Sequence, residues 1–342
     1  MFAKKNLIAL AALATLAVSA QAQSSVTLYG NVDAMVGSLQ SLNVTFGPTT
    51  VTKDRTTAVA SSGLTESFFG LKGQEDMGGG LKAVFKLESF VNVDTGTTGA
   101  NFFGKNAYVG FAGDFGQLVA GNVESLFKIE GAAFNPFGTS PIASPTTRLF
   151  LGGNLGVSSP MVGGSWQNTL AYTSNNMSGL TLSAQYSAKE ASNYGGAYDL
   201  SANYTAGALG LSAVYGESKQ SFGAADLKSR AYLLGASYDF TAVKLMAQYG
   251  QNKITQEGVT GSTTPKFYQV GVVVPVSAAG SFHAAFGQNK IEDLKMTDIS
   301  VGYNHALSKR TSLYALYINE KFKLGGDSES TNSYGVGVRH AF

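Results

Sequence analysis

Apolar and polar side chains alternate along most of this chain, and this period of two is the feature that most restricts its fold. Several of the apolar stripes are bracketed by tyrosine, as in the stripe formed by Tyr198, Leu200, Ala202 and Tyr204. Alternation predicts β-strands with one apolar face, and tyrosines at the stripe ends are typical of aromatic girdles at two membrane interfaces. We therefore expect an all-β fold whose apolar face meets lipid. A large soluble β-sandwich is the alternative.

The same alternation continues over residues 332–342 and stops on an aromatic residue, Phe342. A strand at this position needs partners on both of its edges, because an unpaired edge invites aggregation. The economical arrangement places the first strand beside the last. The pattern thus predicts a closed β-barrel.

Residues 1–22 have the pattern of a secretory signal peptide. Two lysines, Lys4 and Lys5, precede a short apolar run over 7–18, and the segment ends at Ala22 with a small-x-small cleavage site. The run is too short to cross a bilayer comfortably, although an uncleaved anchor is the alternative. We expect cleavage after Ala22 and a barrel domain over 23–342. No later segment has about 20 consecutive apolar residues, so no transmembrane helix is predicted.

Composition excludes several classes of function. Charged residues are 13% of the chain, about half the usual share, and there is no cysteine for a disulfide or a thiolate site. The 22 basic side chains that remain without Lys4 and Lys5 balance 22 acidic ones, which is unlike a nucleic-acid binder. The histidines His283, His305 and His340 are scattered, with no spacing typical of zinc or nucleophilic chemistry. We expect no enzyme activity, cofactor or metal site.

Short and long connections alternate along the chain. Seven short turns and eight longer loops join sixteen predicted antiparallel strands, with both termini on the short-turn side. Bacterial outer-membrane barrels have short periplasmic turns and longer outer loops, and a barrel of this size encloses an aqueous lumen. The predicted long loops are 37–62, 92–104, 122–165, 187–197, 217–229, 250–265, 287–296 and 321–331.

The third long loop, 122–165, contains more large apolar residues than a solvated loop needs, among them Phe127, Phe134, Phe137 and Phe150. We expect this loop to fold inward, to pack against the barrel wall and to narrow the pore. An outer loop buried at a subunit contact is the alternative.

Several segments resemble the Gram-negative general porins. The segment 25–33 is similar to the family's first strand, and 69–83 is similar to its second strand, turn and third strand. The ending 336–342 also fits, and the resemblance covers essentially all of 23–342. It implies a homotrimer of 16-stranded barrels in the outer membrane, surrounded by lipid and lipopolysaccharide, that passes small hydrophilic solutes. It also implies that the outer-membrane assembly machinery reads Phe342.

The resemblance implies a charged constriction between the third loop and the wall. The strand phase turns Lys72, Lys82 and Lys86 toward the lumen, and Lys105 matches a basic wall position of the family. The family's pattern is broken by Phe68, Asn122, Asn135 and Thr139. The expected loop residues of the constriction are Glu124, Lys128, Glu130, Pro136, Phe137, Gly138 and Arg148.

A constriction with lysines and few opposing carboxylates favours anions. The sequence therefore predicts a passive diffusion channel with a mild anion preference. Two alternatives remain open. A solute-specific channel would need an aromatic slide, to which Phe68 and Phe90 have the right phase to contribute. A structural or adhesive barrel would need a plugged lumen.

Overall fold

The computed structural model describes residues 25–45, 50–152, 162–189, 194–222 and 225–342. The predicted signal peptide, 1–22, lies outside these ranges. Within them, no helix is long and apolar enough to cross a membrane.

The described chain consists mainly of strands, with two short helices between the seventh and eighth of them. The strands are β1 Ser25–Thr45, β2 Thr50–Ser61, β3 Phe68–Asp76, β4 Lys82–Asn92, β5 Thr97–Thr98, β6 Asn106–Gly113, β7 Gly116–Glu124, β8 Ser165–Thr173, β9 Leu180–Ser187, β10 Tyr194–Ala206, β11 Leu209–Phe222, β12 Ala225–Asp239, β13 Lys244–Gln256, β14 Lys266–Pro275, β15 Gly280–Ile291, β16 Leu294–Ala306, β17 Thr311–Leu324 and β18 Asp327–Ala341. The helices are α1 Leu126–Ala133 and α2 Pro145–Leu149.

The sheet closes on itself because β1 pairs over 31–38 with β18 on one edge and with β2 and β3 on the other. Strands β2 and β3 are successive parts of one wall strand, interrupted at 62–67, and the two-residue β5 pairs only with β4. Over the described ranges this gives a barrel of sixteen antiparallel wall strands, which confirms the predicted fold class. Phe342 completes the closure by exchanging two 3.1 Å backbone hydrogen bonds with Gly30.

Each wall strand has an apolar outer face and a mostly polar inner face. In β1, Leu28 and Val36 are 60% and 55% exposed, whereas Asp33 and Met35 on the opposite face are fully buried. A side chain that points into a closed barrel is shielded by the other walls, so burial marks the inner face. Tyrosines of neighbouring strands meet on the outer face, as do Tyr232 and Tyr249, whose ring centroids lie 6.1 Å apart. This is the aromatic girdle that the sequence predicted.

The predicted lengths of several long loops were wrong. The first loop, predicted over 37–62, is largely strand, because β1 and β2 pair from Ala34 and Ser61 upward to Thr45 and Thr50. The loop predicted over 287–296 shrinks to residues 292–293. Residues 287–290 of β15 are Gly, Gln, Asn and Lys, so the alternation that marked the rest of this strand is absent there.

Candidate functional site

The segment that joins β7 to β8 contains two capped helices. Helix α1 begins after Ser125, whose side-chain oxygen accepts a 3.2 Å hydrogen bond from the Lys128 amide. Helix α2 begins after Ser144, which accepts one from the Thr147 amide at 3.1 Å. Between them, Asn135 accepts a 2.8 Å hydrogen bond from the Phe137 amide. Caps and a side-chain turn of this kind fix a definite backbone path, so Asn135 has a structural role in this chain.

Glycines of the inner face lie under this segment. A Cβ atom added at Gly235 would stand 2.8 Å from the Phe134 ring, and one added at Gly250 would stand 2.8 Å from the Phe150 ring. Such distances are shorter than real side chains tolerate, so the segment uses the space that glycine leaves. We call this set the glycine cradle; it comprises Gly216, Gly235, Gly250, Gly271, Gly287 and Gly302.

Buried polar side chains of the inner face bind the segment directly. The Thr146 hydroxyl lies 2.6 Å from Oε1 of Gln248 and 2.7 Å from Oε1 of Gln269. The Gln248 amide donates to the Gly131 carbonyl at 2.8 Å, and the Asn289 amide donates to the Leu149 carbonyl at 2.5 Å. Because buried polar groups are costly unless they are hydrogen-bonded, these contacts hold the segment in one position.

Arg148 is the central ionic contact of the segment. It is 5% exposed, and its Nε lies 3.0 Å from the Asp298 carboxylate. Its guanidinium also pairs with Glu320 and donates to the Ile142 carbonyl. Burial alone would lower the pKa of Arg148, but the two carboxylates raise it further than burial lowers it, so the side chain stays charged. The sequence analysis named Arg148 but missed its partners, Asp298 and Glu320. The sequence shows each of them only as an acidic residue at a strand position that faces the lumen.

Apolar packing supplies the remaining contacts. Leu126, Phe127 and Phe150 belong to one buried cluster with wall residues such as Phe267, whose ring centroid stacks 5.4 Å from that of Phe150. Phe137 belongs to a second cluster with wall residues of β1 and β17. The apolar residues that marked this loop in the sequence therefore pack on the inner face rather than meeting solvent.

Pro136, which the sequence analysis expected at the constriction, lies against the wall strands β14 and β15. The Pro136 carbonyl lies 2.9 Å from Nδ1 of His283, and the Pro136 ring covers Gly271 of the cradle. Gly138 takes a φ of +48°, a conformation that glycine adopts without strain. The structure thus brings Pro136, Phe137 and Gly138 together where the segment turns between its helices.

Lys105 and Lys128 form a compact ionic cluster with two carboxylates, Glu66 and Glu124. Lys105 lies 3.4 Å from Glu66 and 2.5 Å from Glu124, and Lys128 lies 2.8 Å and 3.1 Å from the same two groups. Burial lowers the pKa of Lys105, but the carboxylates of Glu124 and Glu66 raise it more. The sequence analysis expected few opposing carboxylates and did not identify Glu66, which lies in the break between β2 and β3.

Two aromatic rings complete this cluster. The Lys105 ammonium lies 5.3 Å from the ring centroid of Phe68 and 5.4 Å from that of Phe90, and the Lys128 ammonium lies 4.8 Å from the latter. These are cation–π distances, so the two phenylalanines help to position both lysines. The unexpected phenylalanine at position 68 is thereby accounted for.

The other three wall lysines lie on the inner face, nearer the short-turn end. Lys72 faces Lys86 across the β3–β4 ladder, and its ammonium lies 4.6 Å from the Tyr29 ring centroid. Lys86 lies 3.9 Å from Glu88, whose carboxylate also accepts hydrogen bonds from other side chains. Lys82 begins β4 beside the turn, at the rim of the barrel. Lys72 and Lys86 are thus closer to the ionic cluster along their strands than Lys82 is.

Glu130 is buried on α1, at 6% exposure. Its carboxylate accepts hydrogen bonds from Asn203 at 2.5 Å and from Ser212 at 3.3 Å. Burial raises the pKa of Glu130 above its ordinary value, and these hydrogen bonds only partly oppose that effect. Glu130 therefore attaches α1 to the wall and does not face a free lumen.

Comparison with known proteins identifies this architecture. A family model described as Gram-negative porin matches residues 9–325. Outer membrane porin protein 32 of Delftia acidovorans is 31% identical, with 99% of this chain and 100% of that protein covered. Major outer membrane protein P.IB of Neisseria lactamica is 30% identical with the same coverage.

Solved structures agree with this result. The anion-selective porin from Comamonas acidovorans has a TM-score of 0.80 and 27% identity, with 93% of this chain and 100% of that chain covered. The trimer form of OmpT, an outer membrane protein of Vibrio cholerae, has a TM-score of 0.70 at 15% identity, with 93% and 99% coverage, and shares the fold. Together with the family model and the closed sixteen-stranded barrel, these similarities show that the chain belongs to the Gram-negative porin family.

Proposed function

We propose that this porin is a passive channel through which small hydrophilic solutes and ions diffuse across the outer membrane, with a mild preference for anions. The observation that carries the proposal is the segment 125–150, fixed to the inner face by the glycine cradle, by buried glutamines and by Arg148. A segment that occupies part of the barrel's cross-section narrows the lumen and leaves the rest open to water. It serves as the constriction.

The charges of the constriction are closely balanced. Beside β3, β4 and β6, four lysines meet three carboxylates; they are Lys72, Lys86, Lys105 and Lys128 against Glu66, Glu88 and Glu124. Beneath α2, Arg148 meets two carboxylates, Asp298 and Glu320, and Lys82 lies at the rim, so these groups together are six basic and five acidic. A small positive excess favours anions, and screening over about 8 Å at physiological salt keeps the preference mild. The anion selectivity that names the Comamonas acidovorans porin supports the same sign.

The test is the reversal potential of the purified protein in a planar lipid bilayer under a salt gradient. Wild type is expected to favour anions, and Lys72→Gln/Lys86→Gln is expected to abolish or reverse that preference with the conductance little changed. A matched control, Lys309→Gln/Arg310→Gln, removes two charges from a turn between wall strands. Cation preference in wild type, or an equal effect of both double variants, would contradict the proposed anion preference. Neither result would contradict the proposal that the protein is a diffusion channel.

We also propose the cellular setting of the channel. The solved trimer of the Vibrio cholerae relative supports a homotrimer here. Residues 1–22 serve as the signal peptide for export, and the terminal Phe342, 39% exposed at the end of the last strand, is the feature that the assembly machinery recognises. In the membrane, lipid and lipopolysaccharide surround the outer face.

A further inference from the structure

Four lysines on the outer face stand directly opposite one another on four consecutive strands. Lys266 of β14 pairs in register with Lys290 of β15, which pairs with Lys295 of β16, which pairs with Lys323 of β17. All four side chains are exposed. Neighbouring strands lie about 5 Å apart, so the four ammonium groups form one row about 15 Å long. We call these four residues the lysine row.

The row lies on the outer face because its members share the phase of the exposed apolar residues. On β14, Tyr268 lies two residues from Lys266 and is 40% exposed, and Val270 lies four residues from Lys266 and is 53% exposed. On β16, Lys295 has the phase of Ile299, which is 40% exposed. At about 3.4 Å per residue, the row therefore stands about 14 Å along the strands from the apolar band, with the tyrosine girdle between them.

The ladder gives no internal reason for this arrangement. Like charges directly opposite each other in an antiparallel sheet destabilise it. In the part of the chain that the structure describes, the ion pairs do not involve the row; the outer-face carboxylate of Glu217, on β11 three strands from Lys266, pairs with Lys228 and Arg230. The exposed acids Glu292 and Asp293 lie in the connection above the row, beyond the ends of β15 and β16. The row therefore concentrates positive charge that an anion from outside the protein can neutralise.

We propose that the lysine row binds the phosphate groups of lipopolysaccharide in the outer leaflet. The row lies at the barrel end that carries the longest connection, 125–164, which is the outer end of a barrel of this class. Lysine binds phosphate as a mobile point charge, so a row of lysines accommodates the phosphates of adjacent lipid molecules. The proposal rests on the proposed location in the outer membrane and identifies which surface meets the lipid.

The experiment uses the full-length barrel, purified in neutral detergent and free of lipopolysaccharide. It is titrated with bisphosphorylated lipid A and with dephosphorylated lipid A, and binding is measured by native mass spectrometry. A surface lysine contributes about five-fold to the affinity for an anionic lipid, so Lys290→Gln/Lys295→Gln is expected to weaken binding of the phosphorylated lipid about 25-fold. The control Lys309→Gln/Arg310→Gln, and the charge-conserving Lys290→Arg/Lys295→Arg, are expected to keep it.

The rate of unfolding provides a second readout, measured without lipid and with phosphorylated lipid A. Without lipid, Lys290→Gln/Lys295→Gln is expected to unfold no faster than wild type, because the like-charge pair is gone. With phosphorylated lipid A, wild type is expected to be slowed in its unfolding more than this variant. Equal affinities for the two double Gln variants, or equal wild-type binding of dephosphorylated lipid A, would overturn the proposal. Bilayer conductance of the same samples tests the channel separately, because the row lies outside the lumen.

Discussion

Replacing Arg148 with methionine tests whether its ion pairs hold the constriction in place. The substitution removes the cation between Asp298 and Glu320 while keeping a flexible apolar side chain. Asp298 is fully buried, so without Arg148 its carboxylate would lie near that of Glu320, shielded from solvent and with no neutralising cation. Breaking a buried ion pair by removing one partner costs about 3–5 kcal/mol.

The other contacts of α2 offset little of this loss. The Thr146 hydroxyl, which has one proton to share between Gln248 and Gln269, keeps its hydrogen bond after the change, and that bond contributes about 0.5–1.5 kcal/mol. A loss of about 3–5 kcal/mol corresponds to roughly 10²–10⁴-fold in an equilibrium or a rate. We therefore expect α2 to leave the wall transiently, which opens and closes the pore.

Two assays measure the consequence. Single-channel recording is expected to show a noisier current and a larger mean conductance, and heating in detergent is expected to unfold Arg148→Met sooner than wild type. The control combines Arg148→Met with Asp298→Asn and Glu320→Gln, which removes all three charges and is expected to recover most of the stability. If Arg148→Met matches wild type within two-fold in both assays, or if the triple variant is no better than the single one, the ion pairs do not hold the loop.

Three further predictions concern separate parts of the barrel. Because burial raises the pKa of Glu130, its ionisation lowers stability as the pH rises above about 4. Glu130→Gln is therefore expected to exceed wild type in thermal stability at neutral pH, by a margin that is absent in acid. Gly287→Ala is expected to push Pro145 off the wall and alter single-channel conductance, whereas Gly326→Ala, which has open space around it, is expected to behave as wild type. Removing Phe342 is expected to reduce the amount of barrel in the outer membrane without preventing refolding in detergent; equal amounts in cells would refute its role as an assembly signal.

Much of the fold was predictable because lipid-facing apolar residues and lumen-facing polar residues alternate along the strands of a membrane barrel. Leu28 and Val36 mark the lipid face of β1 as clearly in the sequence as in the structure. The outer ends of the strands were not predictable. Beyond the membrane both faces of a strand meet water, so the apolar–polar alternation that marks a strand is lost. Residues 287–291 illustrate this limit, because they form the end of β15 although the pattern indicated a loop.

The site was predictable in part. Phe127 and Phe150 correctly indicated a segment that is not solvated, because apolar side chains of that size need a packing surface. The surface itself could not be found from the sequence. Gln269 and Gly271 are ordinary residues for a strand, and their importance depends on Thr146 and on the turn at Pro136, more than 120 positions away.

The distance along the chain between the segment and the glycine cradle determines when the pore can take shape. Thr146 binds Gln269 across 123 positions, and α2 reaches Glu320 of β17, the last wall strand but one. Contacts between such distant positions form late, because the intervening chain must first be ordered. The surface that receives the segment exists only after β11 to β17 have aligned. The narrow part of this channel is therefore completed at the end of folding, by the barrel that it restricts.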